Sequence, residues 1–207
     1  MNELDRRKNG YLYHPYKTGD NSFARAIRLC ACLSDISLPE EDKNDLLQQL
    51  LGHFGCDSHI VLPFRCDLGP NIHIGNDTFI NMECLMLDEG RITIGDRVFI
   101  GPRLSVYTPI HPFVSDIRAA GLETCAPVTI ENDVWIGGNV TIGPGVTIGT
   151  GSIIGMGSVV TRSIPAHVLA AGNPCKVIRP IDEKDRKKWT ALYEDYASDP
   201  DIAHVVK

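Results

Sequence analysis

The segment YTPIHP places a single histidine, His111, between Pro109 and Pro112. Histidine titrates near neutral pH, so its imidazole can take the proton from a weak nucleophile such as an alcohol. The two prolines restrict the backbone on either side, which reduces the entropy that is lost when the side chain is ordered. The pattern indicates a general base, although an ordinary surface histidine in a long loop fits the same residues.

The other reactive side chains form weaker patterns. Seven cysteines occur without a C-x-x-C pair, which is typical of reduced thiols that pack as small hydrophobic groups. A covalent route through Cys84 or Cys125 stays an alternative to direct proton abstraction. A catalytic zinc ion would need three histidine ligands, and the spacing of the histidines does not suit one, so no metal is predicted.

Composition limits the classes of function that fit the chain. It has 207 residues, of which 43% are hydrophobic and 22% charged, as in an ordinary globular domain. The net charge of −6 gives no electrostatic reason to expect nucleic acid. The apolar runs are too short for a membrane span, and the N-terminus lacks the apolar core of a secretory signal. These features predict a cytoplasmic protein that binds neither nucleic acid nor membrane.

The elements that must position His111 follow from a six-residue period. In one run, every sixth residue is aliphatic: Ile130, Ile136, Ile142, Ile148, Ile154 and Val160. Two shorter runs lie upstream, separated by a two-residue slip around residues 88–90. Period six is not helical, and an antiparallel sandwich would need longer strands with turns every 8–12 residues. The pattern therefore predicts an all-β solenoid, a parallel β-helix with aliphatic side chains inside and glycines at tight corners.

The repeat divides the chain into three parts. Residues 1–55 are predicted to form a small N-terminal helical segment, 56–180 the solenoid, and 181–207 a C-terminal helix with a loose tail. Segment 107–127 lacks the period and is predicted to be a loop that leaves the solenoid and carries His111. The first helix should bury Phe23, Ile27, Cys30 and Leu33. The last helix should dock through Ile181, Trp189, Leu192 and Tyr193 or Tyr196.

Several segments together closely resemble one family. GPNIHIGNDTFIN, YTPIHP, NDVWIGGNVTIGPGVTIG and AGNPCKVIRPI are similar to segments of the hexapeptide-repeat sugar O-acetyltransferases, which include the maltose, galactoside and nodulation O-acetyltransferases. The hexapeptide alone would define only the superfamily, whereas the ordered set YTxxHP, NDVWIGG and AGNPxxVIR is much narrower. The resemblance implies a left-handed parallel β-helix, a homotrimer with active sites between subunits, and acetyl-CoA as donor. The implied acceptor is a sugar or a related small hydroxyl compound.

The resemblance also implies roles for individual residues. The histidine of YTxxHP is the family's catalytic base, which makes His111 the base here. The positions that match donor binding and oxyanion stabilisation are Gly138, Met156, Thr161, Arg162, Lys176 and Arg179. Those that match acceptor binding are Asn81 and the acidic pair Asp88 and Glu89. Arg25 is a further candidate for acceptor contact, although a surface arginine of a helix fits the same residue. The family often has an acidic residue where this chain has His14 and Pro15, which weakens the prediction of a maltose or galactoside acceptor.

Two other functions fit the sequence. The chain could acetylate a non-sugar alcohol or a xenobiotic, or it could be a non-catalytic hexapeptide scaffold. His111 together with an intact donor segment favours an enzyme, since a scaffold would need neither. Trp135 either stacks against a ligand or is simply a residue of the repeat.

Overall fold

The computed structural model describes residues 1–35 and 37–199. Its main body is a three-sided parallel β-solenoid of about six turns. The first three coils contain β1 (His53–Phe54), β2 (His59–Ile60), β3 (Phe64–Cys66), β4 (Ile72–Ile74), β5 (Phe79–Ile80), β6 (Cys84–Leu87), β7 (Ile92–Ile94), β8 (Phe99–Ile100) and β9 (Ser105–Tyr107). An excursion then contains β10 (Pro109–Ile110), a short helix and β11 (Thr124–Cys125).

The chain returns to the solenoid for two more full coils and a last partial one. These contain β12 (Val128–Ile130), β13 (Trp135–Ile136), β14 (Thr141–Ile142), β15 (Thr147–Ile148), β16 (Ile153–Ile154), β17 (Val159–Val160), β18 (Val168–Ala171) and β19 (Lys176–Pro180). The helices are α1 (Glu3–Lys8), α2 (Ser22–Leu33), α3 (Glu40–Leu50), α4 (Ser115–Ala119) and α5 (Glu183–Ser198), with a 3₁₀ turn at Pro15–Lys17. None of the helices in the described part combines the length and apolar character that crossing a bilayer requires.

The strands stack in register into three faces. Face 1 contains β1, β4, β7, β12 and β15; face 2 contains β2, β5, β8, β13, β16 and β18; face 3 contains β3, β6, β9, β14 and β17. All these neighbours are parallel, and β19 closes face 2 by pairing antiparallel with β18. The chain therefore turns at three edges, which we call edge 1–2, edge 2–3 and edge 3–1.

The six-residue period is confirmed as the spacing of the inward side chains. In face 1, Ile94, Ile130 and Ile148 are aligned on neighbouring strands, and all three are buried. The other two faces repeat this arrangement, so that one continuous aliphatic column fills the prism. Each coil contacts mainly its neighbours, as expected of a solenoid.

Glycines occur at the tight corners, as predicted: Gly145, Gly151 and Gly157 have a left-handed φ there. Gly137, which directly follows an inward isoleucine, has a second role. A Cβ atom on Gly137 would lie 2.6 Å from the backbone nitrogen of Met156 in the next coil. Glycine is needed there because two coils approach closely, rather than for a left-handed backbone. The left-handed φ of that corner is taken by Asn139, at 57°. Asparagine tolerates this conformation better than most residues do.

The N-terminal helices cover part of the solenoid. Helix α2 buries Ala26, Cys30 and Leu33, which are spaced at i, i+4 and i+7. The predicted stripe is wrong at its start, because Phe23 and Ile27 are about half exposed. The small side chain of Ala26 occupies the contact that the sequence pattern assigned to its larger neighbours.

Helix α5 follows β19 and begins with a capping box between Asp182 and Asp185. No residue of this helix is buried, and Trp189 is 64% exposed. The apolar side chains predicted to dock therefore lie exposed within the single chain, and their docking stays a prediction. The predicted loose tail, residues 200–207, lies outside the described residues.

Candidate active site

The excursion at edge 3–1 places His111 opposite Glu123. Strands β10 and β11 pair antiparallel, with Ile110 opposite Thr124. His111 directly follows the first strand of this hairpin, and Glu123 directly precedes the second. Their side chains meet with 3.9 Å between Nε2 of His111 and Oε2 of Glu123. This distance is too long for a hydrogen bond but short enough for a strong charge interaction when the imidazole is protonated.

Glu123 is held in place from its other side by Tyr13. The Tyr13 hydroxyl donates to Oε1 of Glu123 at 2.5 Å, and both side chains are buried. The two residues also form an isolated antiparallel bridge with two backbone hydrogen bonds. Burial and the adjacent carboxylate raise the pKa of Tyr13, so the hydroxyl stays protonated and remains a donor. The imidazole of His111, by contrast, is 61% exposed and free to meet a ligand.

His111 and Glu123 line a cavity of about 600 Å³. Its opposite wall comes from the N-terminal segment. That wall contains Arg7, Tyr13, Pro15, Tyr16, Thr18, Gly19, Asp20, Asn21, Phe23 and Ala24. Its floor comes from the solenoid, through Asp67, Leu68 and Glu89. The cavity therefore joins the proton acceptor of the excursion to polar and aromatic groups suited to a small polar ligand.

The structure separates the roles of the two candidate carboxylates at residues 88 and 89. Asp88 is fully buried and accepts hydrogen bonds from the backbone nitrogens of Leu68, Gly69 and Asn71. Burial raises its pKa to about 6, against the lowering effect of these three donors. Asp88 thus fixes the turn of the neighbouring coil and does not line the cavity.

Glu89 does line the cavity, next to Asp67. Burial first, and then the contact with the Asp67 carboxyl, raise the pKa of Glu89 to about 9. Its Oε2 atom is buried and accepts no hydrogen bond from a donor of the described residues. Of the two acidic candidates, only Glu89 can meet a ligand beside His111.

Arg25 does not line this cavity. Its guanidinium donates to the backbone carbonyl of Gln49 and so ties α2 to α3. Its neighbours Phe23 and Ala24, rather than Arg25 itself, face the cavity.

Three other candidates lie on a different edge of the prism. Asn81, Gly138 and Met156 follow β5, β13 and β16, so they stack along edge 2–3. The Asn81 side chain accepts a hydrogen bond from the backbone nitrogen of Met82. Met156 is 83% exposed, and the Gly138 nitrogen donates to no acceptor among the described residues. Within one chain, the width of face 3 separates these residues from His111.

The remaining donor candidates lie near the last coils. Thr161 and Arg162 follow β17 at edge 3–1, and both are exposed. Lys176 and Arg179 lie on β19, which is exposed along its length. The Arg179 guanidinium pairs with both carboxylate oxygens of Asp185, at 2.5 and 2.8 Å. A phosphate at this surface would compete with Asp185 for the guanidinium.

Sequence reasoning missed three residues of the site: Tyr13, Asp67 and Glu123. Glu123 is a lone acidic residue in a stretch without periodicity, and only the hairpin register brings it to His111. Tyr13 lies 110 residues away in the chain. Asp67 occupies a turn between repeats, where an acidic residue is usually a solvated corner. No spacing in the sequence distinguishes these residues from their neighbours.

The cysteines near these sites are poor nucleophiles. Burial raises the pKa of both Cys84 and Cys125 to about 11. Both are therefore neutral thiols at physiological pH, and the thiolate is the reactive form. Among the described residues, no group of three or more His, Cys, Asp or Glu side chains is arranged to hold a metal ion.

The sequence and the solenoid fold agree with known proteins. Residues 127–162 match the family model described as bacterial transferase hexapeptide (six repeats). The galactoside O-acetyltransferase of Escherichia coli is 38% identical over 156 residues, which are 75% of each chain. A maltose O-acetyltransferase structure from Clostridium difficile superposes with a TM-score of 0.84, 38% identity, and coverage of 88% of this chain and 99% of that one.

A third relative was solved with a ligand. The hexapeptide-repeat acetyltransferase of Vibrio cholerae complexed with acetyl coenzyme A has 39% identity and a TM-score of 0.82, over 88% of this chain and all of that one. Our protein is thus an enzyme of the acyltransferase class built on a left-handed parallel β-helix, as predicted. It belongs to the hexapeptide-repeat acetyltransferase family, with the galactoside and maltose O-acetyltransferases as relatives.

Proposed function

We propose that this protein transfers an acetyl group from acetyl-CoA to a hydroxyl of a sugar or related small acceptor, with His111 as general base. One observation carries the proposal: the exposed imidazole of His111 lies beside the buried carboxylate of Glu123 in a cavity large enough for a sugar unit. Relatives with this fold are acetyltransferases for galactosides and maltose.

The chemistry requires a base because an alcohol is a weak nucleophile at neutral pH. His111 takes the hydroxyl proton as the oxygen attacks, and later returns it to the departing sulfur. The imidazolium formed in between is stabilised by Glu123, whose own position is fixed by the Tyr13 hydroxyl. Acetyl-CoA supplies an activated acyl group with a good leaving group. A base of this kind contributes about 10²–10⁴-fold.

The negative charge that develops on the carbonyl oxygen needs a hydrogen-bond donor. The Gly138 N–H is suited to this role because it has no acceptor within the described chain. The phosphates of CoA would meet Arg162, Lys176 and Arg179, whose charges lie on exposed surface of the last coils. Met156 and Thr161 would border the pantetheine arm.

The site is proposed to be complete only in a homotrimer. His111 and Glu89 lie at edge 3–1, whereas Gly138 lies at edge 2–3 of the same prism. A second copy whose edge 2–3 packs beside edge 3–1 of the first would bring both sets together. Face 2 also has an apolar exterior, since Phe99 and Trp135 are aligned on it and each is 55% exposed. Apolar surface of this kind is typical of an interface between subunits.

The direct route is preferred over a covalent acetyl-cysteine, since Cys84 and Cys125 are kept as thiols. In initial-rate experiments, lines that intersect would support the ternary complex, and parallel lines would support the covalent route. Thiol release with a panel of acceptors distinguishes a sugar acceptor from a non-sugar acceptor, and an enzyme from a scaffold. A cytoplasmic location stays a prediction.

The test is release of free thiol from acetyl-CoA with a panel of sugars and simple alcohols. We expect release with at least one hydroxyl acceptor, and a loss of about 10²–10⁴-fold in His111→Ala. The matched control is His53→Ala, which removes an exposed imidazole from face 1. Circular dichroism and sedimentation check that both variants fold and assemble as the wild type does.

Two results would contradict the proposal. Activity of His111→Ala within a few-fold of wild type would remove His111 as the base. No thiol release with any hydroxyl acceptor would favour the scaffold function instead.

A further inference from the structure

The cavity beside His111 carries an excess of negative charge. Its carboxyl groups belong to Asp20, Asp67, Glu89 and Glu123. Apart from His111, Arg7 is the only cationic side chain among the described residues that line it. Arg7 is largely buried and pairs with Asp20 at 2.6 Å, so these two charges cancel. Burial alone would raise the pKa of Asp20, but hydrogen bonds from Ser22 and Arg7 lower it below its ordinary value.

Two of the remaining carboxyl groups face each other. Asp67 and Glu89 line the cavity together, and the Asp67 carboxyl contributes to raising the pKa of Glu89. Neither side chain forms an ion pair with a lysine or arginine of the described chain. A contact between two carboxylates is repulsive unless a proton or a cation lies between them. The Oε2 atom of Glu89 is buried and has no hydrogen-bond donor among the described residues.

Aromatic rings face the same space. Tyr16 and Phe23 line the cavity, yet they are 92% and 51% exposed. Exposed rings at a cavity mouth can stack on the apolar side of a pyranose, and their faces also attract cations. Rings and unpaired carboxylates together are suited to a ligand with both an apolar face and a positive charge.

We propose, building on the proposed function, that the acceptor carries a protonated amine: an amino sugar or a similar hydroxylated amine, whose ammonium group lies between Asp67 and Glu89. An ammonium group has three hydrogen-bond donors and can donate to both carboxylates at once. Glu123 stays with His111, so that the hydroxyl of the same acceptor meets the base.

The transfer remains an O-acetylation. A protonated amine has no free electron pair, so the hydroxyl oxygen is the nucleophile. A C–O bond forms and the C–S bond of the thioester breaks. The hydroxyl proton passes through His111 to the sulfur, which gives the acetyl ester, free CoA and an unchanged ammonium group.

The experiment compares acceptors that differ only in the substituent at C2: an ammonium group, a hydroxyl or a neutral acetamide. Thiol release is measured with glucosamine, glucose and N-acetylglucosamine, and with galactosamine, galactose and N-acetylgalactosamine. We expect kcat/KM to be at least tenfold higher for the amine in one of these sets. Mass spectrometry with mild alkaline hydrolysis confirms that the product is an ester and that the amine is free.

Two variants test the residues. Asp67→Asn and Glu89→Gln keep side-chain size but remove one carboxylate, so each should lower the preference for the amine at least fivefold. Asp57→Asn is the matched control, since Asp57 is an exposed acidic residue outside the cavity whose left-handed backbone suits asparagine. It should keep the wild-type preference. Two variants are used so that poor folding of one still leaves a test.

The outcomes separate this inference from the proposed function. Equal or better turnover of the neutral sugars would overturn the amine-bearing acceptor and leave O-acetylation standing. A preference that survives both cavity variants would also overturn it. No thiol release with any acceptor would overturn both proposals.

Discussion

Replacing Glu123 by glutamine removes one charge beside His111 and almost nothing else. Glutamine has the same size, and its carbonyl oxygen can still accept the Tyr13 hydroxyl. The substitution therefore tests electrostatic support of the base separately from packing. Any loss of activity should come from the imidazolium that forms during transfer.

The magnitude follows from the distance of 3.9 Å between the two groups. A unit charge pair at this distance is worth about 1 kcal/mol in water and about 4 kcal/mol near a protein surface of effective dielectric constant 20. Glu123 is 8% exposed and His111 61% exposed, so an intermediate value of about 2 kcal/mol is appropriate. That corresponds to a fall in kcat of roughly 30-fold.

The assay is thiol release at saturating acetyl-CoA and acceptor. Because Glu123 acts in the transition state, kcat should fall while KM for acetyl-CoA stays within about twofold. Tyr13→Phe removes one hydrogen bond to Glu123 and should cost about 1 kcal/mol, or roughly fivefold in kcat. If Glu123→Gln keeps more than half of the wild-type kcat, or changes only KM, the carboxylate does not support the base.

Three further predictions concern the stability of the solenoid and the binding of acetyl-CoA. Asp88→Ala leaves the buried N–H groups of Leu68 and Gly69, and the half-buried one of Asn71, without their acceptor, and should lower the free energy of unfolding by about 3 kcal/mol. Gly137→Ala puts a methyl group against the next coil and should lower the free energy of unfolding by about 1–3 kcal/mol. Gly138→Ala should lower it less, because the atoms nearest to the new methyl group, in Pro102, are 3.3 Å away. Asp185→Ala frees the Arg179 guanidinium and should lower KM for acetyl-CoA up to about fivefold, the scale of a surface ion pair.

Thermal unfolding checks the first two predictions, and steady-state kinetics checks the third. An unchanged unfolding temperature in Asp88→Ala would mean that water accepts the hydrogen bonds of the N–H groups that Asp88 had accepted. An equal loss of unfolding free energy in Gly137→Ala and Gly138→Ala would show that the spacing of the coils adapts to a methyl group. For Asp185→Ala, an unchanged KM would mean that Arg179 does not take part in donor binding.

Much of the fold was predictable because the period of six is imposed by the solenoid itself. Each inward position must be aliphatic to fill the prism, and Ile136 and its equivalents are buried as expected. The slip around residues 88–90 marks a real irregularity, where Asp88 holds the turn of the neighbouring coil. The stripe of α2 was predicted less well, since Phe23 faces the cavity and not the core.

The candidate site was predictable only where a local motif carries it. The prolines and the family motif single out His111, but the partner Glu123 depends on strand register and Tyr13 on a contact across most of the chain. The candidate residues also divide between two edges of one prism. Sequence order conceals this division, because Asn81 and Glu89 are only one strand apart.

The bridge between Tyr13 and Glu123 has a practical consequence for preparing this protein. Cleavage between Tyr13 and Asn21 would remove Tyr13 and part of the N-terminal wall of the cavity, while the stacked coils would lose no residue. We expect such a clipped sample to keep its solenoid but to lose activity, because the support of Glu123 and part of the cavity wall are gone. Intact mass, rather than thermal stability, is therefore the proper criterion for an active preparation.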